Sequence, residues 1–227
     1  MPAYNEERTV ERAVERCLAV LESSVDDYEV VLLDDGSRDR TAAVMAELQA
    51  RDPDRIRLIV HERNQGIAAS YEELYRAATK DFVMLIPADD QYPPEALSEI
   101  LPLLDEHDIV VCRRTRKPYT PWRHCISISY TWLPRLLFGV RLYDPGSTKC
   151  VRRQIFVETS VSSRGVFVEA ERLIRAIKRG HRIAAVDVVQ GDRQAGTATG
   201  AHPRTVAVAL ADLVRLWWSL VVLRRTS

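Results

Sequence analysis

The chain has 227 residues, which suits one domain with a substantial core or one domain plus an appendage. Its 32 basic and 32 acidic residues balance, so no overall field attracts nucleic acid and we expect no such partner. The four cysteines lack Cys-x-x-Cys spacing and the five histidines are scattered, which argues against a zinc site. Because no signal peptide opens the chain, we expect free thiols in a reducing compartment.

Alternating strands and helices are predicted along the first half of the chain. Residues 2–7 are typical of a loop and a helix start, so the sheet is expected to lack its first strand. Predicted helices cover residues 6–22, 41–51 and 94–104, and another follows Asn64-Gln65-Gly66 and runs through Ala78. Predicted strands cover residues 28–33, 56–60, 82–86 and 109–112. This alternation predicts an α/β fold whose mostly parallel sheet is flanked by helices.

The character of the sequence changes after the last of these strands. A basic loop at 113–118 precedes residues 122–138, which mix aromatic, apolar and arginine side chains as interfacial helices do. A helix at 172–179 and a strand at 183–188 are predicted next.

The C-terminal run 205–223 is nearly all apolar but contains Asp212 and Arg215. A charge at the centre of a spanning helix costs roughly 2.5–3.5 kcal/mol, so an amphipathic helix on the membrane surface or packed on the domain is favoured over a spanning one. A core helix is an equal alternative. Trp217-Trp218 near Arg224-Arg225 slightly favours the membrane surface.

Two carboxylate clusters follow apolar strands. Asp34-Asp35 ends the strand at 28–33, and Asp89-Asp90-Gln91 follows the strand at 82–86. Ligands of open parallel sheets bind beyond the carboxyl ends of the strands, where acidic groups can hold a divalent cation or accept hydrogen bonds from a sugar or base. A helix cap accounts for one Asp of the first cluster and leaves the second cluster unexplained.

Four motifs in this order resemble family 2 glycosyltransferases with the GT-A fold, above all polyprenyl-phosphate glycosyltransferases of the dolichol-phosphate mannose synthase type. The resemblance extends from Pro2 to about Thr199. The motifs are Pro2-Ala3-Tyr4-Asn5-Glu6, Asp34-Asp35-Gly36-Ser37-x-Asp39-x-Thr41, Asn64-x-Gly66 and Ala88-Asp89-x-Gln91-x-Pro93-Pro94-Glu95.

The resemblance implies a donor site for a nucleotide sugar. Its substrate-binding residues would include Pro2, Tyr4, Glu6 and Ala88 at the nucleotide, and Asp35 would accept the imino N–H of the base.

The resemblance also implies a metal site, because Asp89 and Gln91 match the positions that hold Mg²⁺ or Mn²⁺ against the donor diphosphate. The family commonly has a further Asp where this chain has Pro87, and Asp90 is the candidate replacement.

Basic side chains are implied as clamps for the donor diphosphate and the acceptor phosphate: Arg114, Lys149 in place of a family arginine, and Arg193. Asp192-Arg193-x-x-Gly196 matches the start of a family signature whose final Ser and Lys are Ala198 and Thr199 here.

The catalytic set implied by the family comprises Asp89, Arg193 and Glu171. A lipid phosphate is already anionic, so it needs no strong base. Glu171 or Glu169 would serve as the base if the acceptor were a sugar hydroxyl.

The function implied is inverting transfer of a sugar from a GDP- or UDP-sugar to a polyprenyl phosphate. The nucleotide-sugar-binding half would cover residues 1–112, the acceptor half 113–200, and the amphipathic helix 201–227. We expect peripheral contact with the cytoplasmic face of a membrane. Transfer to a glycan hydroxyl and a catalytically weak nucleotide-sugar-binding protein are the alternatives, and a nucleotidyltransferase ranks last.

Overall fold

Two sheets meet side by side in the structure, a computed structural model that describes residues 1–115, 120–163, 165–191 and 203–223. The strands are β1 Pro2–Ala3, β2 Val30–Asp34, β3 Ile56–Val60, β4 Phe82–Met84, β5 Ile109–Arg114, β6 Lys149–Arg152 and β7 Ile183–Val188. The α-helices are α1 Val10–Ser24, α2 Thr41–Arg51, α3 Ile67–Ala77, α4 Leu97–Ile100, α5 Pro121–Phe138, α6 Arg153–Glu158, α7 Val168–Lys178 and α8 Pro203–Trp217.

The first sheet is parallel and the second is mixed. Strand order is β1-β2-β3 in the first and β4-β6-β5-β7 in the second. Strand β6 runs antiparallel to both β4 and β5, whereas β5 and β7 are parallel. The sheets touch where the amide of Ala88 donates a hydrogen bond of 3.3 Å to the carbonyl of Pro2.

The α/β class and the flanking helices predicted from the sequence are confirmed, including the predicted bounds of α2, β3 and β7.

The expectation that the first strand is absent needs correction. Pro2 and Ala3 pair in parallel with Leu33 and Asp34, so the residues interpreted as loop form a two-residue strand. Proline is tolerated there because the amides of Leu33 and Asp35 donate to the carbonyls of Met1 and Ala3, so these bonds need no donor from residue 2.

Two further elements differ from the sequence prediction. The predicted helix 94–104 is four-residue α4 between 3₁₀ turns at Pro94–Ala96 and Leu101–Leu103, because Pro102 has no N–H to continue the helical ladder. Strand β6 was not predicted, since its four residues carry two charged side chains and no strand-length apolar run.

The core forms where helices pack on the sheets. Helix α1 buries Val10, Ala13, Val14 and Cys17, which recur at helical spacing, against β2. The larger cluster lies between the second sheet and α7, where Ile109 and Val111 pack with Leu173 and Ile174.

Helices α5 and α8 form one side of the molecule. Helix α5 begins at the N-cap Thr120, whose hydroxyl accepts from the amide of Arg123, and ends at Gly139 in the left-handed conformation. Helix α8 buries Asp212, Leu213 and Leu216 and leaves its opposite face exposed. Together with the π-helix Trp218–Val222, it is long and apolar enough to span a membrane by length and composition.

A buried arginine joins α7 to α3 and α6. Arg172 is 1% exposed, donates to the carbonyl of Phe156 at 2.8 Å and forms an ion pair with Glu72. Its guanidinium lies 5.2 Å from the ring centre of Tyr75 and 5.5 Å from that of Phe156. Burial lowers the pKa of Arg172 to about 10, so the side chain stays charged at neutral pH.

Replacement of this arginine should therefore destabilise the fold strongly. We expect Arg172→Met to lower the free energy of unfolding by about 3–5 kcal/mol, because the Glu72 oxygen that faces Arg172 is left near the core without that cation, while Arg76 keeps only the other oxygen. Lys178→Met on the exposed end of the same helix should stay within about 0.5 kcal/mol of the wild type. Urea denaturation followed by circular dichroism measures both, and equal midpoints for the two variants would contradict the expectation.

Candidate functional site

The loops after β1 and β2 are joined into one surface at the carboxyl edge of the first sheet. The amide of Asn5 donates to the Ser37 hydroxyl at 2.9 Å, and the amide of Arg38 donates to the Asn5 side chain at 2.8 Å. The amide of Glu6 donates to the Thr41 hydroxyl at 2.8 Å. The predicted nucleotide-binding residues Pro2, Tyr4 and Glu6 therefore lie on one side of this surface, and Tyr4 is exposed.

Asp35 is the centre of the hydrogen bonding at this edge. One carboxylate oxygen accepts from the Gln65 amide at 2.8 Å and lies 2.7 Å from the Nδ1 atom of His61, and the other accepts from the Gly66 amide at 2.9 Å. The side chain is buried. Asp35 thus ties the loop after β3 to the end of β2, and its predicted contact with the base stays a prediction.

The second carboxylate cluster separates into two roles. Asp90 has a positive φ of 52°, and its carboxylate forms ion pairs with Arg12 at 3.1 Å and Arg16 at 2.6 Å on α1. It is therefore turned towards the helix and away from Asp89, and the structure does not support it as a replacement for the carboxylate missing at Pro87.

Asp89 and Gln91 are the remaining candidates for a metal. The Asp89 carboxylate accepts from the Gln91 amide at 3.2 Å, and the Gln91 side-chain oxygen accepts from Gln190 at 3.1 Å. Within the described ranges, no group of three or more His, Cys, Asp or Glu side chains could hold a metal. Mg²⁺ is commonly bound through one or two carboxylates together with substrate phosphates, and the two oxygen donors of Asp89 and Gln91 fit that pattern.

The predicted basic clamps carry carboxylate partners. The guanidinium of Arg114 donates to Asp144 at 2.8 and 2.7 Å, and the ammonium of Lys149 donates to Glu169 at 2.9 Å. Both pairs are largely buried, and such pairs hold a charged side chain in one orientation. The third predicted clamp, Arg193, lies outside the described residues, as do Ala198 and Thr199.

Glu171 is placed away from these groups. It is fully buried, and its oxygens accept from the amides of Ser162 and Ser163 at 3.0 and 2.9 Å and from Arg175 at 2.9 Å. Burial raises the pKa of Glu171, but the hydrogen bonds from Ser163, Ser162 and Arg175 outweigh it and leave the pKa below its usual value. Glu169 lies two residues earlier on α7 and points to a different side of the helix. It is the glutamate that lines the cavity described next.

A cavity of about 510 Å³ lies between the second sheet and helices α5 and α8. Four charged side chains line it, those of Arg114, Asp144, Lys149 and Glu169, and Pro87 of the loop that carries Asp89 also lines it. Its walls are apolar and come mostly from α5 and α8. The cavity therefore combines fixed charges at one end with a long apolar lining, the arrangement that suits an amphiphilic ligand.

Two tyrosines of this cavity were not predicted from the sequence. The Tyr92 hydroxyl lies 3.0 Å from the Ser147 hydroxyl, and Tyr71 lines the cavity from α3. Burial raises the pKa of Tyr71 well beyond its usual value, so its phenol stays protonated. Tyr71 lies one helical turn after Ile67, which also lines the cavity, but sequence periodicity does not distinguish a cavity-lining face of a helix from a core-facing one.

The family model described as glycosyl transferase family 2 matches residues 1–157. The chain is 32% identical over 230 residues to an undecaprenyl-phosphate 4-deoxy-4-formamido-L-arabinose transferase of Edwardsiella ictaluri, covering 100% of this chain and 67% of that protein. A transferase of the same name from Pectobacterium atrosepticum is 27% identical over 202 residues, with 87% of this chain and 60% of that protein covered. The chain thus spans about 60% of the length of some curated relatives that it matches.

Solved structures show the same fold. Glucosyl-3-phosphoglycerate synthase of Mycobacterium tuberculosis, in complex with Mn²⁺, UDP-glucose and phosphoglyceric acid, superposes with a TM-score of 0.74 at 20% identity, covering 95% of this chain and 77% of that one. The same enzyme with Mg²⁺ and UDP gives a TM-score of 0.73. At this identity the likeness concerns the fold alone.

Gly36 lies where the loops after β2 and β3 approach each other closely. Its φ is +69°, and a Cβ atom there would lie 2.5 Å from the Arg63 carbonyl carbon and 2.6 Å from the Asn64 nitrogen. We expect Gly36→Ala to lower the free energy of unfolding by about 3 kcal/mol, because backbone strain adds to a clash with backbone atoms.

Gly139 provides a matched control, because its φ is +67° and nothing lies within 4 Å of its added Cβ. Gly139→Ala should cost only the conformational strain, about 1 kcal/mol. Thermal unfolding of both variants measures the difference, and equal losses would show that the close approach of the two loops is unimportant.

Proposed function

Because the chain belongs to glycosyl transferase family 2, we propose that it transfers a sugar from a nucleotide sugar to a polyprenyl phosphate. The observation that carries this proposal is the cavity, whose charged end adjoins the Asp89 loop and whose apolar walls match an isoprenoid chain. The names of the relatives, which act on undecaprenyl phosphate, support the same acceptor class.

The donor would bind at the carboxyl edge of the first sheet, within the nucleotide-sugar-binding half at residues 1–112. Asp35 would accept the imino N–H of uracil or guanine, while the backbone at Pro2 and Ala88 would border the nucleotide. Asp89 and Gln91 would hold Mg²⁺ or Mn²⁺, which when bound stabilises the charge that develops on the leaving diphosphate. The UDP-glucose complex of the structural neighbour makes UDP-sugars the first donors to test.

The acceptor phosphate would lie at the charged end of the cavity, within residues 113–200. There Arg114 and Lys149 would contact it, each already oriented by its carboxylate partner. Because a phosphate monoester is anionic, it attacks the anomeric carbon in line, with inversion and without a strong general base. This removes the need for Glu171 as a base, and we assign it a structural role in holding residues 162–163 to α7.

Contact with a membrane surface is part of the proposal, at the cytoplasmic face predicted from the sequence. The two helices that wall the cavity leave large apolar side chains exposed: Trp132 and Leu136 on α5, at 59% and 81%, and Val214 on α8. Arg135 stacks on Trp132 at 5.3 Å, a pairing suited to the boundary between lipid and water. A lipid acceptor would enter the cavity between these helices without leaving the bilayer surface.

Sugar transfer to lipid tests the function directly. The protein is incubated with undecaprenyl phosphate, Mn²⁺ and radiolabelled UDP- or GDP-sugars, and label is extracted into organic solvent. We expect labelled lipid that disappears with EDTA and falls by at least about 100-fold in Asp89→Ala, because several kcal/mol of charge stabilisation would be lost.

The neighbouring carboxylate is the matched control for this assay. Asp90→Asn should retain transfer within about threefold, since the Asp90 side chain faces Arg12 and Arg16 on α1 and the amide oxygen of Asn can still accept from them. Donor binding without lipid labelling would favour a glycan acceptor or a nucleotide-sugar-binding protein. Equal losses in both variants would contradict the assignment of the metal to Asp89.

Binding to vesicles tests the membrane surface. We expect Leu136→Ser to reduce partition onto phosphatidylethanolamine–phosphatidylglycerol vesicles about tenfold, because burying a leucine in an apolar phase is worth about 1.5–3 kcal/mol. Val157→Ser on α6 replaces another exposed apolar residue away from the cavity and should leave partition unchanged. Sedimentation of vesicles measures both, and an unchanged Leu136→Ser variant would exclude α5 from the contact.

A further inference from the structure

A histidine that was not among the predicted site residues lies between two carboxylates, next to the carboxyl edge of the first sheet. His61 follows β3, is 5% exposed at its side chain, and has its Nδ1 atom 2.7 Å from Asp35 and its Nε2 atom 2.8 Å from Glu73 of α3. Its backbone amide donates to the carbonyl of Asp34 at 2.9 Å. The ring is therefore fixed by β2 on one side and by α3 on the other.

The two ring nitrogens define the protonation state that fits this arrangement. A neutral imidazole donates from one nitrogen only, so its other nitrogen would present a lone pair to a carboxylate. An imidazolium donates from both and satisfies Asp35 and Glu73 together. The arrangement therefore fits a protonated ring. The ring donates to one oxygen of Asp35, and the amides of Gln65 and Gly66, in the loop after β3, donate to the same carboxylate.

The charges around the ring favour that protonated form. Burial lowers the pKa of His61, but the hydrogen bonds to Asp35 and Glu73 outweigh it and leave the pKa above its usual value of 6.5. Asp35 faces the ring from β2 and Glu73 from α3, while Glu62 and Arg63 of its own loop are exposed. The imidazolium is expected at pH 6.5 and below, and is lost as the pH rises through the raised pKa.

We propose that His61 is a positioning residue of the donor site, which fixes the Asp35 carboxylate for the nucleotide base and is itself held by Glu73. The inference rests on the proposed function, because it assigns the base to Asp35. Its consequence is that nucleotide affinity, and with it the KM for the donor, depends on the hydrogen bond from His61 to Asp35 and, by up to about threefold, on the positive charge of the ring. The kcat of transfer, which depends on the groups around Asp89, should be unaffected.

Two isosteric variants separate the two hydrogen bonds of the ring. In His61→Asn the amide nitrogen occupies the place of Nδ1 and retains the bond to Asp35, whereas in His61→Gln it occupies the place of Nε2 and reaches only Glu73. Binding of UDP and of GDP, each with Mn²⁺, is measured by calorimetry. We expect His61→Asn to stay within about threefold of the wild type and His61→Gln to bind about tenfold more weakly, as for the loss of a charge-assisted hydrogen bond.

The pH profile provides the readout that a purely structural role would not change. Between pH 6 and 9.5, wild-type affinity relative to that of His61→Asn should fall by up to about threefold as the ring loses its proton. This ratio removes the titration of the diphosphate itself. In Glu73→Gln the fall should begin about one pH unit lower, because one of the two stabilising charges is gone. Glu73 is partly exposed, and the ratio of wild-type to Glu73→Gln affinity also cancels the titration of the diphosphate, so this pair keeps the test valid even if the His61 variants unfold.

Asp35→Asn distinguishes this inference from the function on which it rests. Nucleotide binding that depends on Asp35, with the expected order of the His61 variants, supports both. Binding that depends on Asp35 but is equal in His61→Asn and His61→Gln, or a Glu73→Gln profile identical to the wild type, overturns the role of His61 alone. Binding that is insensitive to Asp35→Asn, or the absence of UDP and GDP binding to the wild type, overturns the proposed donor site and this inference with it.

Discussion

The junction between the two sheets is the constraint on which the site depends. A hydrogen bond from the Ala88 amide to the Pro2 carbonyl brings the loop after β1 beside the loop that carries Asp89. Parallel pairing of Pro2 and Ala3 with the end of β2 then adds Asp35 to the same edge. Three loops that are far apart in the chain therefore line one crevice, as expected where strands of an α/β sheet end.

Carboxylates in and around the site differ according to the donors that surround them. Asp89 and Asp90 are neighbours in the chain, yet the positive φ of Asp90 turns it to two arginines of α1. Glu169 and Glu171 lie on the same helix, but only Glu169 reaches the cavity, where it pairs with Lys149. Residue type thus predicts a charge at each position, while local backbone direction determines whether that charge meets ligand or protein.

Helix α3 connects the two ends of the site. Glu73 contacts His61 beside the base-binding edge, and the adjacent Glu72 pairs with Arg172 in the core. Arg172 in turn lies 3.6 Å from Glu169, the partner of Lys149 at the charged end of the cavity. Removing one member of a buried ion pair strongly destabilises a fold. This series of charges therefore keeps α3 in one position relative to both ends of the site.

The sequence by itself determined the α/β class, most strand and helix positions and the family, because these depend on periodicity and on short motifs whose residues are contiguous. It also placed Asp35, Asp89 and Lys149 among the candidate site residues. Only the tertiary structure decided that Asp90 faces α1, that Glu171 is enclosed by residues 162–163 and Arg175, and that His61 joins Asp35 to Glu73. Those contacts join residues distant in sequence, and the pairing of a buried charge depends on which donors the folded chain brings within about 3 Å of it.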